Sequence, residues 1–208
     1  TLYGLDCGLV NVLHGTFMGV QAGAANLAPA GGSALSGLGR GVQLAFFVNV
    51  AGSLDGLQLG FSNNAEDLAG LQLGGHNLAD RMAGVQCGLV FNTILNEAAG
   101  VQLGFWNNFG IPSELVNRMR AHNPVLADRA SARRCEGFAG LQAGLFNTAY
   151  AAPVSGAQVG LFNRADDLRG LQIAAVNVAD AMKGVQVGLV NIIGNSPLPF
   201  FPIVNARF

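Results

Sequence analysis

The sequence predicts an all-β fold: a parallel β-solenoid of about twelve 14-residue coils carrying one helical insertion. Three observations lead there. The first is a period of 14: the chain reads GLQLGFSNNAEDLA from Gly56, GLQLGGHNLADRMA from Gly70 and GLQIAAVNVADAMK from Gly170, with a consensus of G-[LV]-Q-[apolar]-[GA]-x-x-N-x-A-[DE]-x-[LM]-x. The second is alternation within each copy. Leu57, Leu59 and Phe61 fall on one face and Gly56, Gln58 and Gly60 on the other, which is the two-residue period of a strand. The paired glycines exclude a helix, where each costs about 1 kcal/mol. The third is composition: 30 glycines in 208 residues, half the chain hydrophobic, and 11% charged, against about 25% charged in ordinary soluble domains.

Eleven copies follow in order, beginning at Gly4, Gly19, Gly41, Gly56, Gly70, Gly84, Gly100, Gly140, Gly156, Gly170 and Gly184. All ten glutamines of the chain occupy the third position, and Asp6 stands there in the first copy. After the second copy, Ala28 to Arg40 (APAGGSALSGLGR) interrupts the array as a flexible surface loop. After the seventh, residues 108–139 form an Arg-rich insertion expected to be helical. Ser113 is placed to cap SELVNRMRAH, Leu115 and Met119 lie one turn apart, and Asn123 and Pro124 stop it; a second helical piece runs from Val125 to Glu136. The last segment, LPFFPIVN, is a degenerate twelfth copy that keeps only Asn205. The whole of 1–208 is read as a single repeat domain.

A period of 14 is too short for a strand with a crossover helix, which needs about 30 residues. The copies are therefore coils of a parallel stack or antiparallel strands of a meander. In a stack, equivalent side chains lie about 4.8 Å apart, and amides in register each give and accept a bond along the axis. Asn63, Asn77, Asn163, Asn177 and Asn191 then form an internal structural ladder on the leucine side. Ala65, Ala79, Ala165 and Ala179 let the corner close, and Leu68, Met82, Leu168 and Met182 point inward. The alternative is a 12-stranded antiparallel transmembrane β-barrel, with an even strand count and a terminal Phe208. The uniform turns, the insertions after the second and seventh copies, and Pro199 and Pro202 in a closing strand favour the stack.

If leucine faces the core, Gly, Gln and Gly make a flat, uncharged outer face. Gln58, Gln72, Gln86, Gln158, Gln172 and Gln186 are then candidate interface residues, the alternative being a purely structural ladder. Arg118, Arg120, Arg129, Arg133 and Arg134 are a candidate site for a partner or anion, the alternative being solvated arginines on a hairpin that covers a sheet edge. Glu66, Asp67, Asp80, Asp166, Asp167 and Asp180 line one corner. Stacked carboxylates there could hold calcium, or they serve the turn locally beside Arg81, Arg164, Arg169 and Lys183. No other cofactor is expected. His14, His76 and His122 have no ligand partner at useful spacing, and no nucleophile or phosphate-binding motif is present, so the chain reads as no enzyme. Cys7 and Cys87 share an apolar repeat position and Cys135 lies outside the repeats; an odd count leaves at least one thiol unpaired within a monomer. A net charge of -1 offers nothing to nucleic acid, and there is no uncharged apolar run for a membrane helix. The start at Thr1, almost inside the first copy, reads as a processed or trimmed chain.

The stretch GLFNRADDLRGLQIAAVNVADAMKGVQVGLVNIIG and the ending SPLPFFPIVNARF resemble the bacterial surface-repeat proteins, many of them predicted lipoproteins or outer-membrane-associated proteins. The resemblance covers nearly the whole chain apart from the two insertions, and implies the cell envelope, outer membrane or cell surface as location. It brings no catalytic residues. The expected function is a non-enzymatic scaffold or adhesive element that meets a protein partner or its own copies, with membrane association as a further partner class. The barrel alternative implies a small pore or receptor instead.

Overall fold

The computed structural model describes residues 2–28, 38–122 and 136–208, with the side chains of residues 119, 120, 122 and 152 outside that description. The protein is nearly all β, one sheet of mostly parallel strands that does not close into a barrel. It has the architecture of a parallel β-solenoid, and the antiparallel transmembrane barrel is not formed. The strands are β1 (Leu2–Cys7), β2 (Val10–Val12), β3 (Phe17–Ala28), β4 (Leu38–Phe109), β5 (Gly137–Val159), β6 (Phe162–Ile173), β7 (Val176–Ile193) and β8 (Phe200–Arg207). The single described helix, α1, spans Ser113–His122, as the sequence predicts. Ala28 and Leu38 to Arg40, expected in a loop, belong to β3 and β4; the rest of that loop and the expected second helical piece up to Cys135 lie outside the described residues.

Chain contacts divide the molecule into two compact units: Thr1–Ile94 with Gly100–Phe105, and Leu95–Ala99 with Trp106–Phe208. In the first, β1 and β3 pair in parallel with Gly4 opposite Gly19 and Asp6 opposite Gln21. β3 pairs likewise with β4, Gln21 opposite Gln43 and Asn26 opposite Asn49. The register shifts between Ala45 and Val48, where the third copy holds one more residue and Phe46 and Phe47 stack edge to face. In the second unit, β6 and β7 set Gln172 against Gln186 and Ala165 against Ala179. The 14-residue period is therefore the rung of a stack.

Only glycine can begin a rung. Gly70 has φ +143, and a Cβ there would lie 2.0 Å from the carbonyl oxygen of Gly56 in the preceding rung. Rungs stack through bare backbone at this point, which is why the column contains no other residue.

The interior corrects the expected orientation of the strand. Every glutamine of the chain is fully buried. Leu59 is 44% and Phe61 67% exposed. Alternation separates two faces as expected, but the Gly-Gln-Gly face turns inward and the leucine face outward. Asn63 lies five residues after Gln58, and strict alternation would put it on the opposite side. Both are fully buried, so the chain turns a corner between them. The asparagines thus join the glutamines inside and do not share the leucine side. Past the corner, Ala65, Ala79, Ala165 and Ala179 are buried, as are Leu68, Met82, Leu168 and Met182. These supply the apolar part of the core.

The last segment also differs from expectation. β8 pairs antiparallel with β7, Gln186 opposite Asn205 and Val187 opposite Val204, so it is a closing strand and no twelfth coil. Pro202 lacks the N–H an in-register rung needs; it falls where the β7–β8 register shifts, between the partners of Gly188 and Asn191.

Candidate interaction surface

Polar side chains fill the core because each finds a partner one rung away. In the first unit the Nε2–H of Gln43 donates to Oε1 of Gln21 at 2.9 Å, Gln58 to Gln43 at 2.8 Å, Gln72 to Gln58 at 2.7 Å and Gln86 to Gln72 at 2.8 Å. In the second, Gln158 donates to Gln142, Gln172 to Gln158 and Gln186 to Gln172, all at 2.7 Å. The other N–H of Gln58 reaches the carbonyl of Asn64, past the corner of its own coil, at 3.1 Å. Asparagine forms the second ladder: Asn49 donates to Asn63, Asn63 to Asn77 and Asn77 to Asn92, each at 2.9 Å. Asn147 donates to Asn163 at 2.8 Å and Asn163 to Asn177 at 3.0 Å. The expected structural ladder of Asn63, Asn77, Asn163, Asn177 and Asn191 is present, ending with Asn177 to Asn191 at 2.8 Å.

The two ladders run in opposite senses. Within each unit the glutamines donate toward the preceding rung and the asparagines toward the following one, so their amide dipoles oppose one another. Donors of the glutamine column aim at the first rung, where Asp6 places a carboxylate 3.4 Å from Nε2 of Gln21. At the last rung Oε1 of Gln186 is buried with no hydrogen-bond partner.

Gln58, Gln72, Gln86, Gln158, Gln172 and Gln186 are therefore not interface residues. They are buried, and their amides are engaged within the stack. The outer wall is instead formed by the fourth and sixth repeat positions, which the sequence reading assigned to the core. In the first unit Phe46, Leu59, Phe61, Leu89, Leu103 and Phe105 are exposed; in the second, Leu145, Val159, Leu161, Ile173 and Leu189. Gly75 interrupts the first wall, lacking the side chain that Phe61 and Leu89 carry in the flanking rungs. An open trough of about 680 Å³ results, lined by Leu59, Phe61, Leu73, Gly74, Cys87 and Leu89 among others. Cys87 is a half-buried free thiol there, and Cys7 an exposed one.

Charges gather past the corner. Arg81 pairs with Asp67 in the first unit. In the second, Nη2 of Arg164 lies 3.4 Å from Asp166 and 3.2 Å from Asp180, and its guanidinium carbon 5.8 Å from the Tyr150 ring centre. Ser113, Glu114, Tyr150, Arg164, Asp166 and Asp180 line a polar cleft of about 460 Å³. The acidic corner is thus partly paired with arginine. Among the described residues no three His, Cys, Asp or Glu side chains converge as a metal site. His76 packs edge to face on Phe91. Of the candidate arginines, Arg118 is exposed on α1 and Arg120 contributes its backbone to that helix; Arg129, Arg133 and Arg134 lie outside the described residues. No described helix is long and apolar enough to cross a membrane. No protein-family model, no curated protein and no solved structure matches the chain.

Proposed function

We propose that this protein is a non-enzymatic repeat scaffold that meets its partners through the apolar outer wall of the solenoid. One observation carries the reading: large apolar side chains occupy the outside while neutral amides fill the inside. An isolated soluble chain gains nothing from that exchange, because leaving a large apolar side chain in water forgoes roughly 1.5–3 kcal/mol. Aligned apolar columns of this extent mark contact surfaces. Such a wall suits assembly or adhesion, where flat repeated surfaces meet. The bacterial cell envelope as its setting rests on the repeat resemblance.

The test is a double substitution, Phe61→Lys with Leu89→Lys, in the full chain. Both side chains face outward, so the variant keeps its far-UV circular dichroism and melts within about 5 °C of the parent. Binding of a dye that fluoresces on apolar surface falls. A melting point lowered by more than about 10 °C would show that these side chains carry the fold, and would end the reading.

A further inference from the structure

We propose that the outer wall of the first unit is a homotypic contact: a second copy of this chain seats on it in antiparallel sense, with Leu89 of each copy filling the dimple at Gly75 of the other. This rests on the reading of the wall as a contact surface and names its occupant.

The column at the sixth repeat position runs Phe46, Phe61, Gly75, Leu89, Phe105. Four members are exposed knobs; the third is a hole, and the trough opens over it. A two-fold axis placed between the rungs of Gly75 and Leu89 sets hole against knob reciprocally. It sets Phe61 against Phe105 at the next step. An isologous interface needs such self-complementarity; the Gly75 and Leu89 positions supply it, and Phe61 meets Phe105 ring to ring beside them.

Spacing points to the same occupant. Ridges recurring about every 4.8 Å match a surface of the same period, and a second copy has one by construction. Charge agrees. No acidic or basic residue lines the trough, and a net charge of -1 leaves little repulsion between copies. The area is adequate: Phe46, Leu59, Phe61, Leu89, Leu103 and Phe105 are 37 to 83% exposed, which offers roughly 600 Å² per copy at 150–250 Å² for a large side chain. A standard interface buries about 800 Å² per partner, and these six side chains supply most of that area. The absence of lysine and arginine from the trough lining makes an anionic lipid surface the poorer match.

Sedimentation equilibrium of the full chain tests the proposal. The parent shows a concentration-dependent species of twice 21.4 kDa. Gly75→Leu places the residue common at this position into the hole, and Leu89→Gly removes the knob while copying the Gly74-Gly75 pair. Each variant keeps its circular dichroism spectrum and weakens the dimer about tenfold or more. The swap Gly75→Leu with Leu89→Gly restores hole against knob and regains most of the loss. A chain that stays monomeric up to roughly 100 µM, or a dimer indifferent to both single variants, overturns the homotypic contact. If the Phe61→Lys, Leu89→Lys chain is folded in that event, the wall remains a surface for another partner, and flotation of the parent with phosphatidylcholine vesicles would identify lipid as that occupant. If the lysine chain has unfolded, the wall reading itself has failed.

Discussion

Gln72 receives the Nε2–H of Gln86 and donates its own to Gln58, both within 2.8 Å and away from water. Replacing it with methionine keeps the volume and leaves Oε1 of Gln58 and one N–H of Gln86 buried without partners. At about 1–3 kcal/mol for each orphaned group, Gln72→Met should lower unfolding free energy by about 3 kcal/mol in urea titration. Gln72→Glu should cost more at pH 7, because a buried carboxylate faces the carbonyl oxygen of Gln58. Burial raises the folded-state pKa of that glutamate above its unfolded value of about 4.3. The folded state then holds the proton more tightly, so the variant gains stability relative to the parent as pH falls from 7 toward 4 and loses it as pH rises. Equal losses at both pH values would contradict a buried ladder at this position. Glycine gives a second contrast. Gly70→Ala drives a Cβ to 2.0 Å from a carbonyl oxygen at φ +143 and should cost more than about 3 kcal/mol. Gly75 has no left-handed backbone, and a Cβ there meets Phe61 at 3.1 to 3.2 Å. Gly75→Ala asks the Phe61 ring and its carbonyl to give by only a few tenths of an ångström, and should cost less than Gly70→Ala on the same measurement.

At the scale of elements, the second unit ends on a strand of opposite sense. β8 lies antiparallel along β7 from Gly184 to Ile192 and takes up the edge that an unclosed stack would present. Asn191 donates to the carbonyl of Phe201 at 3.1 Å, which ties the asparagine ladder to this strand. Removing residues 195–208 frees a flat edge of apolar and amide side chains, the pattern that templates intermolecular pairing. The truncated chain should aggregate within hours at concentrations where the parent stays clear in light scattering; equal clarity would show that the edge needs no cover. The first N–H bonds of the helix SELVNRMRAH go to the carbonyl of Pro112, with Ser113 as the first helical residue, and the expected stop at Asn123 and Pro124 lies outside the described residues. The helix was readable from local signals alone, since its spacing lies within one segment. β8 was not. Asn205 imitates the repeat column, and what sets its direction is the turn after Ile193 together with a proline that cannot serve as a rung donor. Both act through a neighbouring strand.

At the scale of the molecule, the core of each unit is held by neutral amides and apolar side chains, the Arg40–Asp55 and Arg81–Asp67 pairs are exposed, and the Arg164 pairs are half-buried. Exposed pairs contribute about 0–1 kcal/mol each and are screened by salt. Unfolding free energy by urea titration should therefore change by less than about 1 kcal/mol between 0.05 and 0.5 M sodium chloride. A larger loss would place charge, not amide ladders, at the centre of stability. Such a core also resists substitution differently from an oily one. Lysine at Gln72 or Gln86 would strike the interior and unfold the chain, whereas lysine at Phe61 or Leu89 would not.

The sequence by itself determined the period, the strand, the parallel stack, the asparagine ladder, the alanine corner and the helix. Each of these is a local or repeating pattern, and repetition multiplies a weak signal eleven times. It did not determine which side of the strand is inside, because alternation of two residues defines two faces and is unchanged when they are exchanged. Hydrophobicity then favoured leucine within. Only the tertiary structure decided the matter, since a buried amide is costly alone and acceptable when the next rung supplies its partner at 2.7 to 3.0 Å. That partner exists only once the coils are stacked, and with the amides satisfied inside, the leucines and phenylalanines are left as the outer wall.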